Sequence, residues 1–454
     1  MSKPPFQSGR PRGLYVRTFG CQMNEYDSLR VQRLLAPLGY VPVNDIGEAD
    51  VIFLNTCSVR EKAEQKVHSF LGSLRRLKKA KPHLKIIAGG CVAQQLGEKL
   101  LGRFDHLDLV IGTKGVGSIG QMLQQVQDSG GRLTCMPGEE SGGPGVPEIF
   151  PGGSVTAPVT IMQGCNNYCT YCIVPYVRGS ERSRTASEIL DEIRRLEDSG
   201  VKEVLLLGQN VNSYGRGLDE KCTFVDLLRR IRVETGIARI RFTTSHPKDL
   251  TNELIQCFAE IDTLCKHLHL PVQAGSDRVL ERMNRGYTAA GYIEKINRLR
   301  LICPEIALTS DIIVGFPGET EKDFAKTMEL LEQVQFDNLF SFRYSDRPGT
   351  AAASYTDKVD PDEAALRLVQ LQSYQADVTL RKNLAEVGSD RDVLVEGPSR
   401  ASNGQMSGRT THNRIVNFDA PLPSSGQILR VKITFAYSHS LKGDVIVCPN
   451  AQSG

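Results

Sequence analysis

A repeated pattern of apolar strand, cysteine and helix constrains the fold of this chain more than any other feature. Three apolar segments each run into a cysteine: GLYVRTFGC ends at Cys21, ADVIFLNTC at Cys57 and LKIIAGGC at Cys91. Helical stretches follow, most clearly after Cys57 and Cys91. Strands that alternate with helices predict a parallel sheet. Because ligands lie outside the carboxyl ends of such strands, we expect the three thiols to converge on one crevice.

The cysteine content indicates what these thiols do. A single cysteine after a strand is most often a buried thiol that packs like a small hydrophobic side chain, but the threefold repetition favours a metal site. The N-terminal residues MSKPPFQSGRPRG contain no apolar segment of a signal peptide, and no run of 18 apolar residues predicts a membrane span. We therefore expect a cytoplasmic protein, in which twelve cysteines indicate metal or redox chemistry rather than disulfides.

A second group of cysteines lies in IMQGCNNYCTYCIVPYVRG, where Cys165, Cys169 and Cys172 have C-x3-C-x2-C spacing. A closed zinc or iron–sulfur site has four ligands. No cysteine or histidine follows Cys172 within about fifteen residues, which disfavours the zinc alternative. Three thiolates can instead hold three irons of a cubane [4Fe–4S] cluster and leave the fourth iron open to a substrate.

The rest of the chain predicts two further domains. Six strand–helix units after residue 154 indicate a partial (β/α)6 barrel, with the C-x3-C-x2-C motif at the end of its first strand, where barrels place their chemistry. A long polar helix and then short strands with turn signals indicate a small β-barrel. The predicted fold class is α/β, with an N-terminal parallel α/β domain (12–135), a Gly/Pro-rich linker (136–153), the barrel (154–384) and the C-terminal barrel (385–450).

Several stretches resemble one family of enzymes. They are GCNNYCTYCIVPYVRGSERSR, LLLGQNVNSYG, FTTSHPKDL, HLHLPVQAGSDRVLERMNRGYT, DIIVGFPGETEKDF and YSDRPGTAAA. The chain is similar over nearly its whole length to the methylthiotransferase family of radical S-adenosylmethionine (SAM) enzymes, including an N-terminal three-cysteine domain, a radical SAM core and a C-terminal TRAM-like RNA-binding domain. The first two stretches favour the branch that modifies tRNA over the branch that modifies a ribosomal protein.

The resemblance implies two [4Fe–4S] clusters. Cys165, Cys169 and Cys172 match the ligands of the cluster that cleaves SAM. In the N-terminal domain, the residues that match the ligands of an auxiliary cluster are Cys21, Cys57 and Cys91. An aromatic C–H bond is not acidic, so the cofactors must supply the chemistry. The resemblance implies that a 5′-deoxyadenosyl radical abstracts hydrogen, the auxiliary cluster donates sulfur and a second SAM methylates that sulfur.

The implied substrate is tRNA carrying N6-isopentenyladenosine at position 37, methylthiolated at C2 of the adenine. Two alternatives remain: methylthiolation of an aspartate in a ribosomal protein, and a non-catalytic iron–sulfur protein that binds RNA. The missing fourth ligand at both cysteine groups argues against the second alternative, because structural clusters are normally closed. Expected partners are an electron donor and a donor of sulfur or for cluster repair, with no membrane, and the chain is expected to be a monomer.

The expected SAM contacts are polar groups in loops after strands. Tyr171 could offer its backbone to the adenine, and the turn 315–319 (GFPGE) could lie beside the adenosine. Polar groups of SAM could be contacted by Gln209, Asn210, Gln273 and Ser276. For each of these residues the alternative is a turn or a loop polar group satisfied within the protein.

Two surfaces are candidates for binding tRNA phosphates. Net charge is only +3, so composition alone predicts no nucleic-acid partner. The resemblance to TRAM domains favours the C-terminal domain, with its cations Arg409, Arg414, Arg430, Lys432 and Lys442. A second candidate rests on charge alone, and it comprises Arg75, Arg76, Lys78, Lys79 and Lys81.

Overall fold

The computed structural model describes residues 10–58, 61–136, 154–399, 404–419 and 425–446. The chain divides into two compact units. One unit combines the N-terminal residues with 163–165 and 173–180, and the other contains the remaining described residues. The predicted linker 136–153 lies outside the described residues beyond Met136, and the predicted domain boundaries stay a prediction.

The N-terminal unit contains the predicted parallel sheet. Its six strands are β1 (Arg12–Thr18), β2 (Tyr40–Pro42), β3 (Val51–Thr56), β4 (Lys85–Gly90), β5 (Leu109–Ile111) and β6 (Leu133–Cys135). Their order is β2-β1-β3-β4-β5-β6, and every pair is parallel. The helices are α1 (Gln22–Leu35), α2 (Glu61–Ala80), α3 (Cys91–Leu96), α4 (Glu98–Arg103) and α5 (Ile119–Ser129).

Helices cover both faces of this sheet. Every residue of β3 is buried, as expected for a strand in a parallel sheet with two covered faces. One apolar core includes Ile52 and Leu71, and the other includes Phe53 and Val31. Successive strand residues thus point into opposite cores. This packing fixes β1, β3 and β4 as neighbours, so their carboxyl ends share one edge of the sheet.

The central region contains six parallel strands, which confirms the predicted partial barrel. They form two three-stranded sheets, β11-β10-β7 and β12-β13-β14. Short elements flank the cysteine motif along the chain: β8 (Met162–Gln163), α6 (Val174–Arg178) and β9 (Arg182–Ser183). The six strands are β7 (Thr156–Thr160), β10 (Glu203–Leu207), β11 (Arg239–Phe242), β12 (His267–His269), β13 (Ala307–Val314) and β14 (Asn338–Arg343).

The helices between these strands begin at polar caps. They are α7 (Ala186–Asp198), α8 (Phe224–Glu234), α9 (Asn252–Glu260), α10 (Asp277–Arg282), α11 (Ala289–Ile302) and α12 (Glu321–Val334). Reciprocal capping boxes start three of them, at Thr185, Thr223 and Thr320. Each cap satisfies backbone N–H groups that the first turn leaves free. The caps therefore define where the strand-to-helix loops end, and those loops carry most of the candidate site residues.

The C-terminal residues form a closed five-stranded barrel, as predicted. Helix α13 (Pro361–Leu384) precedes it, with the Asp360 carboxylate accepting from two backbone N–H groups at its start. The barrel order is β15-β16-β17-β19-β18. The strands are β15 (Asp390–Pro398), β16 (Met406–Thr410), β17 (Ile415–Asp419), β18 (Ile428–Ala436) and β19 (Leu441–Val445). Across the described ranges, no helix has the length and apolar character needed to cross a membrane.

Candidate metal centres

The three N-terminal cysteines lie at the carboxyl ends of the adjacent strands β1, β3 and β4. Cys57 directly follows β3, and Cys91 is the first residue of α3 after β4. Cys21 follows β1 by three residues and occupies the position before α1. Cys57 and Cys91 are buried, whereas Cys21 is exposed. We call these residues the N-terminal trio.

Side chains of the trio are close enough to affect one another. A hydrogen bond with Cys57, aided by the positive charge of Arg178, lowers the pKa of the Cys21 thiol to about 6. Burial raises the pKa of the Cys91 thiol, although Arg178 opposes that effect. The Arg178 guanidinium therefore lies beside two thiols of the trio, where it favours their thiolate forms.

Glycine lets the backbone approach Cys57. Gly20 has φ +127°, and a Cβ atom there would lie 2.3 Å from Cys57 Cβ and 2.7 Å from Cys57 Sγ. No side chain can fit at that distance without moving the cysteine. Gly20 is therefore required for the approach of the β1–α1 loop to the end of β3.

Asn24 connects the strand ends under the trio. Its side chain is completely buried, and its Nδ2 donates to the carbonyl oxygens of Phe19 (3.1 Å) and Thr56 (2.8 Å). The Asn55 side chain returns a hydrogen bond to the Asn24 carbonyl at 2.7 Å. Asn24 Oδ1 accepts from Cys21 Sγ at 3.6 Å. This network holds two of the three cysteine-bearing strand ends in fixed register.

Arg178 enters the same network from α6. It is 4% exposed. Its Nη2 forms an ion pair with Asp27 Oδ2 at 2.8 Å and donates to Asn24 Oδ1 at 3.2 Å. Cys91 packs with Ile173 and Val177 of the same segment. The chain segment just after the second cysteine motif thus lines the N-terminal trio. Asp27 balances the guanidinium charge, so the pair can be buried there.

The donor set of the trio fits a cluster better than a single ion. In the described part of the chain, no three Cys, His, Asp or Glu side chains are gathered as ligands of one metal ion. In a cubane each thiolate binds a different iron, so the three sulfurs need not meet at one point. Three thiols, two of them beside the buried cation Arg178, fit a cluster with one iron left open.

The second cysteine motif lies in the loop between β8 and α6, which we call the cysteine loop. Cys165 and Cys169 are buried and Cys172 is partly buried. Cys165 N donates to Gly179 O at 3.1 Å, and Cys172 N donates to Cys169 O at 2.9 Å. Between the last two cysteines, Thr170 donates to Met283 O and its carbonyl accepts from Ala352 N. Backbone hydrogen bonds therefore fix the part of the loop that carries Cys169 and Cys172.

One charged side chain reaches a thiol of this loop. Arg285 Nη1 donates to Cys169 Sγ at 3.3 Å and to the Tyr171 hydroxyl at 3.4 Å. Burial raises the pKa of Tyr171 well above its usual value, so the phenol stays neutral. Its ring is partly buried against an apolar cluster that includes Met283 and Phe316.

Two of the predicted SAM contacts use their side chains within the protein. Asn210, fully buried after β10, donates to Asp249 Oδ2 at 2.7 Å and accepts from His246 N at 3.1 Å. Ser276, also fully buried, donates to Asp323 Oδ1 at 2.6 Å. These contacts favour the structural alternative for both side chains.

Gln273 differs from those two residues. It follows β12 in a left-handed conformation (φ 73°) and is 7% exposed. Its Oε1 has no hydrogen-bond partner among the described residues. A buried acceptor of this kind costs free energy unless a ligand or water satisfies it. Gln209, after β10, is partly buried.

His246 lies in the stretch FTTSHPKDL, where a lone histidine near a strand end predicts a structural residue rather than a ligand. Its Nδ1 accepts from Lys248 N at 3.3 Å, which assigns the proton to Nε2. Within the described residues that buried Nε2 has no partner. Burial, with the nearby charge of Arg285, lowers the pKa of His246 to about 2, so the ring is neutral. It is a buried donor that follows β11.

The predicted adenosine-side turn is stabilised internally. Glu319 Oε2 accepts from Gly315 N at 2.6 Å and from Arg367 Nη1 at 2.7 Å. Gly315 and Gly318 both have positive φ values. This arrangement fixes the shape of the turn and leaves its backbone as the part that could face a ligand.

The structure divides the predicted RNA-binding cations of the C-terminal barrel. Arg414 is largely buried and pairs with Asp337 at 2.7 Å, so it attaches the barrel to the preceding strands. Arg409 pairs with Glu396, and Arg430 pairs with Asp392, both at 3.0 Å. Of the five predicted cations, Lys432 and Lys442 remain as candidates for contact with RNA. They lie on neighbouring strands of the barrel.

The basic stretch of α2 is partly structural as well. Lys78 binds Asp108 at 2.7 Å with little exposure, and Arg75 pairs with Asp105 at 2.6 Å. Lys81 donates to Gly47 O. Fewer free cations therefore remain in this stretch than its composition indicates.

Sequence reasoning missed three residues that organise the cysteine sites: Asn24, Arg178 and Arg285. Arg178 lies in the stretch YVRG and Arg285 in NRGYT, both of which carried the family resemblance. An arginine in a motif does not reveal which thiol it contacts. A basic residue placed next to glycine in such stretches was the available signal.

Comparison with known proteins agrees with this architecture. Residues 159–331 match the radical SAM superfamily, residues 384–446 match the TRAM domain, and residues 13–112 match the uncharacterized protein family UPF0004. The radical SAM methyltransferase TsrM from Kitasatospora setae, with cobalamin and a [4Fe–4S] cluster bound, has a similar fold. Its TM-score is 0.55 at 13% identity, over 76% of this chain and 74% of TsrM.

Curated relatives align with almost the whole chain. The tRNA-2-methylthio-N(6)-dimethylallyladenosine synthase of Syntrophobacter fumaroxidans is 63% identical over 98% of both chains. The synthase of the same name from Geobacter metallireducens is 50% identical over 96% of this chain and 98% of its own length. That of Syntrophus aciditrophicus is 49% identical over 95% and 94%. The chain therefore belongs to the family of tRNA-2-methylthio-N(6)-dimethylallyladenosine synthases within the radical SAM enzymes.

Proposed function

We propose that this protein methylthiolates C2 of N6-isopentenyladenosine at position 37 of tRNA. The observation that carries the proposal is its similarity, over 98% of the chain, to a synthase named for this product. The TRAM match and the closed C-terminal barrel support tRNA as the substrate over an aspartate of a ribosomal protein. A radical SAM core supports catalysis over a purely structural cluster protein.

We assign the two cysteine groups to two [4Fe–4S] clusters. Cys165, Cys169 and Cys172 would hold the cluster that binds SAM, and the N-terminal trio would hold the auxiliary cluster. When bound, SAM and its cluster supply the radical that opens the C–H bond, and the auxiliary cluster supplies sulfur. The Arg285–Cys169 contact at 3.3 Å supports the assignment of a cluster to the first group. The position of Arg178 beside the thiols of Cys21 and Cys91 supports the assignment of a cluster to the second group.

The protein's own residues would bind and orient the polar parts of SAM. Gln273 offers a buried carbonyl oxygen and His246 a buried N–H, both without partners among the described residues. A carbonyl oxygen suits the SAM ammonium, and an N–H suits a carboxylate or a ribose hydroxyl. We keep Gln209 and the backbone of Tyr171 as proposed contacts of SAM. Asn210 and Ser276 would act indirectly, because they hold the loops in shape.

The remaining assignments concern partners and location. The reaction needs an electron donor and a source of replacement sulfur, and we propose that separate proteins provide both. We propose that the enzyme acts in the cytoplasm, where a tRNA substrate would be found, and that it acts as a monomer.

Nucleoside mass spectrometry tests the function. Total tRNA from cells lacking the gene should contain N6-isopentenyladenosine without its 2-methylthio derivative, and the intact gene should restore that derivative. An unchanged methylthio content in the deletion strain would contradict the proposal. A loss of methylthiolated aspartate from a ribosomal protein would instead support the alternative substrate.

A further inference from the structure

Arg285 is buried at the cysteine loop and makes polar contacts with three chain segments. It is 4% exposed. Its Nη1 donates to Cys169 Sγ, its Nη2 donates to Pro271 O at 2.7 Å, and its Nε donates to the Tyr287 hydroxyl at 2.9 Å. Tyr287 in turn donates to Val272 O at 2.8 Å. The guanidinium is therefore fixed between the loop, the chain after β12 and its own turn.

Within the described part of the chain, Arg285 forms no ion pair with a carboxylate. Its hydrogen-bond partners there are two phenols, a thiol and a backbone carbonyl, those of Tyr171, Tyr287, Cys169 and Pro271. Four other buried arginines are paired with acids: Arg178 with Asp27, Arg184 with Glu192, Arg241 with Glu203 and Arg367 with Glu319. Arg239, also buried, donates instead to the backbone carbonyls of Arg409 and Asp392. A buried charge without a counterion is costly. An anion beside Arg285 would therefore lower the free-energy cost of burying its charge.

We propose that Arg285 is a positioning residue whose hydrogen bond and charge stabilise the reduced form of the cluster held by the cysteine loop. This rests on the function proposed above. A thiolate of an iron–sulfur cluster supplies the missing anion at Cys169, and reduction adds one further negative charge. Hydrogen bonds to cluster sulfurs and nearby charge set the reduction potential. Arg285 therefore makes the one-electron reduction that precedes SAM cleavage easier.

The test is a reduction potential measured by EPR-monitored titration in the absence of SAM and tRNA. The parent protein carries Cys21→Ala, Cys57→Ala and Cys91→Ala, so that only the loop cluster remains. Arg285→Met removes the charge and the donors, and Arg285→Lys keeps the charge without the planar fork. The matched control is Tyr287→Phe, which removes a partner of Arg285 and leaves the Cys169 contact.

We expect Arg285→Met to shift the equilibrium at least tenfold toward the oxidised form, which is about 59 mV lower for one electron. Arg285→Lys should fall between Arg285→Met and the parent, and Tyr287→Phe should shift the potential by less than Arg285→Lys. The proposal would be overturned if both Arg285 variants had the same reduction potential as the parent. It would also be overturned if Tyr287→Phe shifted the potential as much as Arg285→Met does. If Arg285→Met holds no iron, the Arg285→Lys potential decides by the same criteria. If the parent gives a reduction potential but the protein with all six cysteines makes no methylthio product, the proposed function is contradicted and this inference is not.

A different observation concerns the outer face of the C-terminal barrel. Phe435 and Tyr437 are 54% and 50% exposed, and their ring centroids lie 4.9 Å apart. Lys442 is the cross-strand partner of Phe435, so the two side chains share one face. A register shift near Ile433 and Phe435 leaves both Thr434 and Phe435 exposed there. We call Phe435, Tyr437 and Lys442 the aromatic face.

The two ends of β18 differ in charge. Lys432 lies between Asp390 and Asp444 in the strand register, and Arg430 already pairs with Asp392. In the described strand register, no carboxylate lies opposite Phe435 or Lys442 on the aromatic face, and the other cross-strand neighbour of Lys442 is Asn417. Exposed aromatic rings beside a lysine fit unpaired nucleobases and their phosphates, because bases stack on aromatic rings and cations contact the backbone.

We infer that the aromatic face binds unpaired bases of the tRNA substrate. This deepens the proposed function, which requires tRNA binding. The test is a gel-shift titration of the full chain with an anticodon stem-loop carrying N6-isopentenyladenosine, at two salt concentrations. The variants are Phe435→Ala with Tyr437→Ala, then Lys442→Gln, and the matched control is Arg430→Gln on the same barrel strand.

The double aromatic variant should weaken binding at least tenfold with an unchanged salt slope. Lys442→Gln should weaken binding less and reduce the slope by about one. Arg430→Gln should bind like the parent. Parent affinity in the double variant would overturn the inference, and so would a salt slope that changes as much as in Lys442→Gln. A parent chain that does not bind the stem-loop at all would contradict the proposed function itself.

Discussion

The N-terminal trio and the cysteine loop each present three thiols, but on different scaffolds. The trio comes from three strand ends, and a buried asparagine network holds two of them in register. The loop carries its cysteines in one short segment held by backbone hydrogen bonds. Each group has one buried arginine, but Asp27 balances Arg178 whereas no described carboxylate balances Arg285.

This difference suggests a difference in task. The Arg178–Asp27 pair brings little net charge to the N-terminal trio. A site with an unbalanced cation favours states with more negative charge, as a cluster that must accept an electron requires. The following experiments test whether the two cysteine groups are separate sites with different tasks.

Removing one group of cysteines should remove one cluster and leave the other. The anaerobically reconstituted protein should hold about eight irons, with four in each cubane. The triple variant Cys165→Ala, Cys169→Ala and Cys172→Ala should hold about half of that iron, and so should the triple variant of the N-terminal trio. Iron analysis with protein quantification measures this. Full iron content in either variant would mean that its cysteines are not ligands.

Substitution of Gly20 should damage the N-terminal trio alone. Gly20→Ala places a methyl group against Cys57 at a positive φ, for a cost of about 3 kcal/mol. Gly39→Ala is the matched control: its φ is also positive, but nothing lies within 4 Å, so about 1 kcal/mol is expected. Urea unfolding of the apoprotein gives the free energies. Equal losses in the two variants would show that the approach to Cys57 is not tight.

The two scaffolds should also differ in their dependence on an asparagine. Asn24→Ala leaves buried carbonyl groups unsatisfied and should cost about 2 kcal/mol. Exposed Asn284, which donates to Tyr168 O at 3.1 Å in the cysteine loop, should cost under about 1 kcal/mol when changed to alanine. The same unfolding assay compares them, and a larger loss for Asn284→Ala would reverse the comparison.

The last effect concerns pH near the cysteine loop. Because the pKa of His246 is about 2 in the folded protein and about 6.5 when unfolded, only the unfolded chain gains a proton between these values. Stability from this residue is therefore complete above pH 6.5 and falls as pH drops, by up to about 1.4 kcal/mol per pH unit. His246→Asn should reduce the slope of unfolding free energy between pH 6.5 and 5. An unchanged slope would mean that His246 is protonated in the folded state.

Much of the architecture was predictable from local patterns. Strands β3 and β4 are apolar runs that end at a cysteine, and their alternation with helices indicated the parallel sheet. The short strands β2, β5 and β6 were not predicted, because three residues carry too little periodicity to distinguish a strand from a loop. The closed C-terminal barrel followed from its turn residues and alternating strands.

The polar surroundings of the sites were less predictable. Asn210 and Ser276 stand in motifs that indicated SAM contacts, yet their partners Asp249 and Asp323 are distant in sequence. Arg285 contacts Cys169 from far along the chain for the same reason. Hydrogen-bond partners depend on tertiary packing, which spacing in a motif does not encode. Charge counts also overstated the RNA-binding cations, since they cannot show that Arg414 is already paired.

The central claim is that the two cysteine groups do separate work, and two single variants test it most directly. Reconstituted Cys57→Ala and Cys169→Ala are incubated with SAM, tRNA and a strong reductant, and both 5′-deoxyadenosine and the methylthiolated nucleoside are measured. We expect Cys57→Ala to form 5′-deoxyadenosine without the methylthio product, and Cys169→Ala to form neither. Equal loss of 5′-deoxyadenosine in both folded variants would contradict the claim.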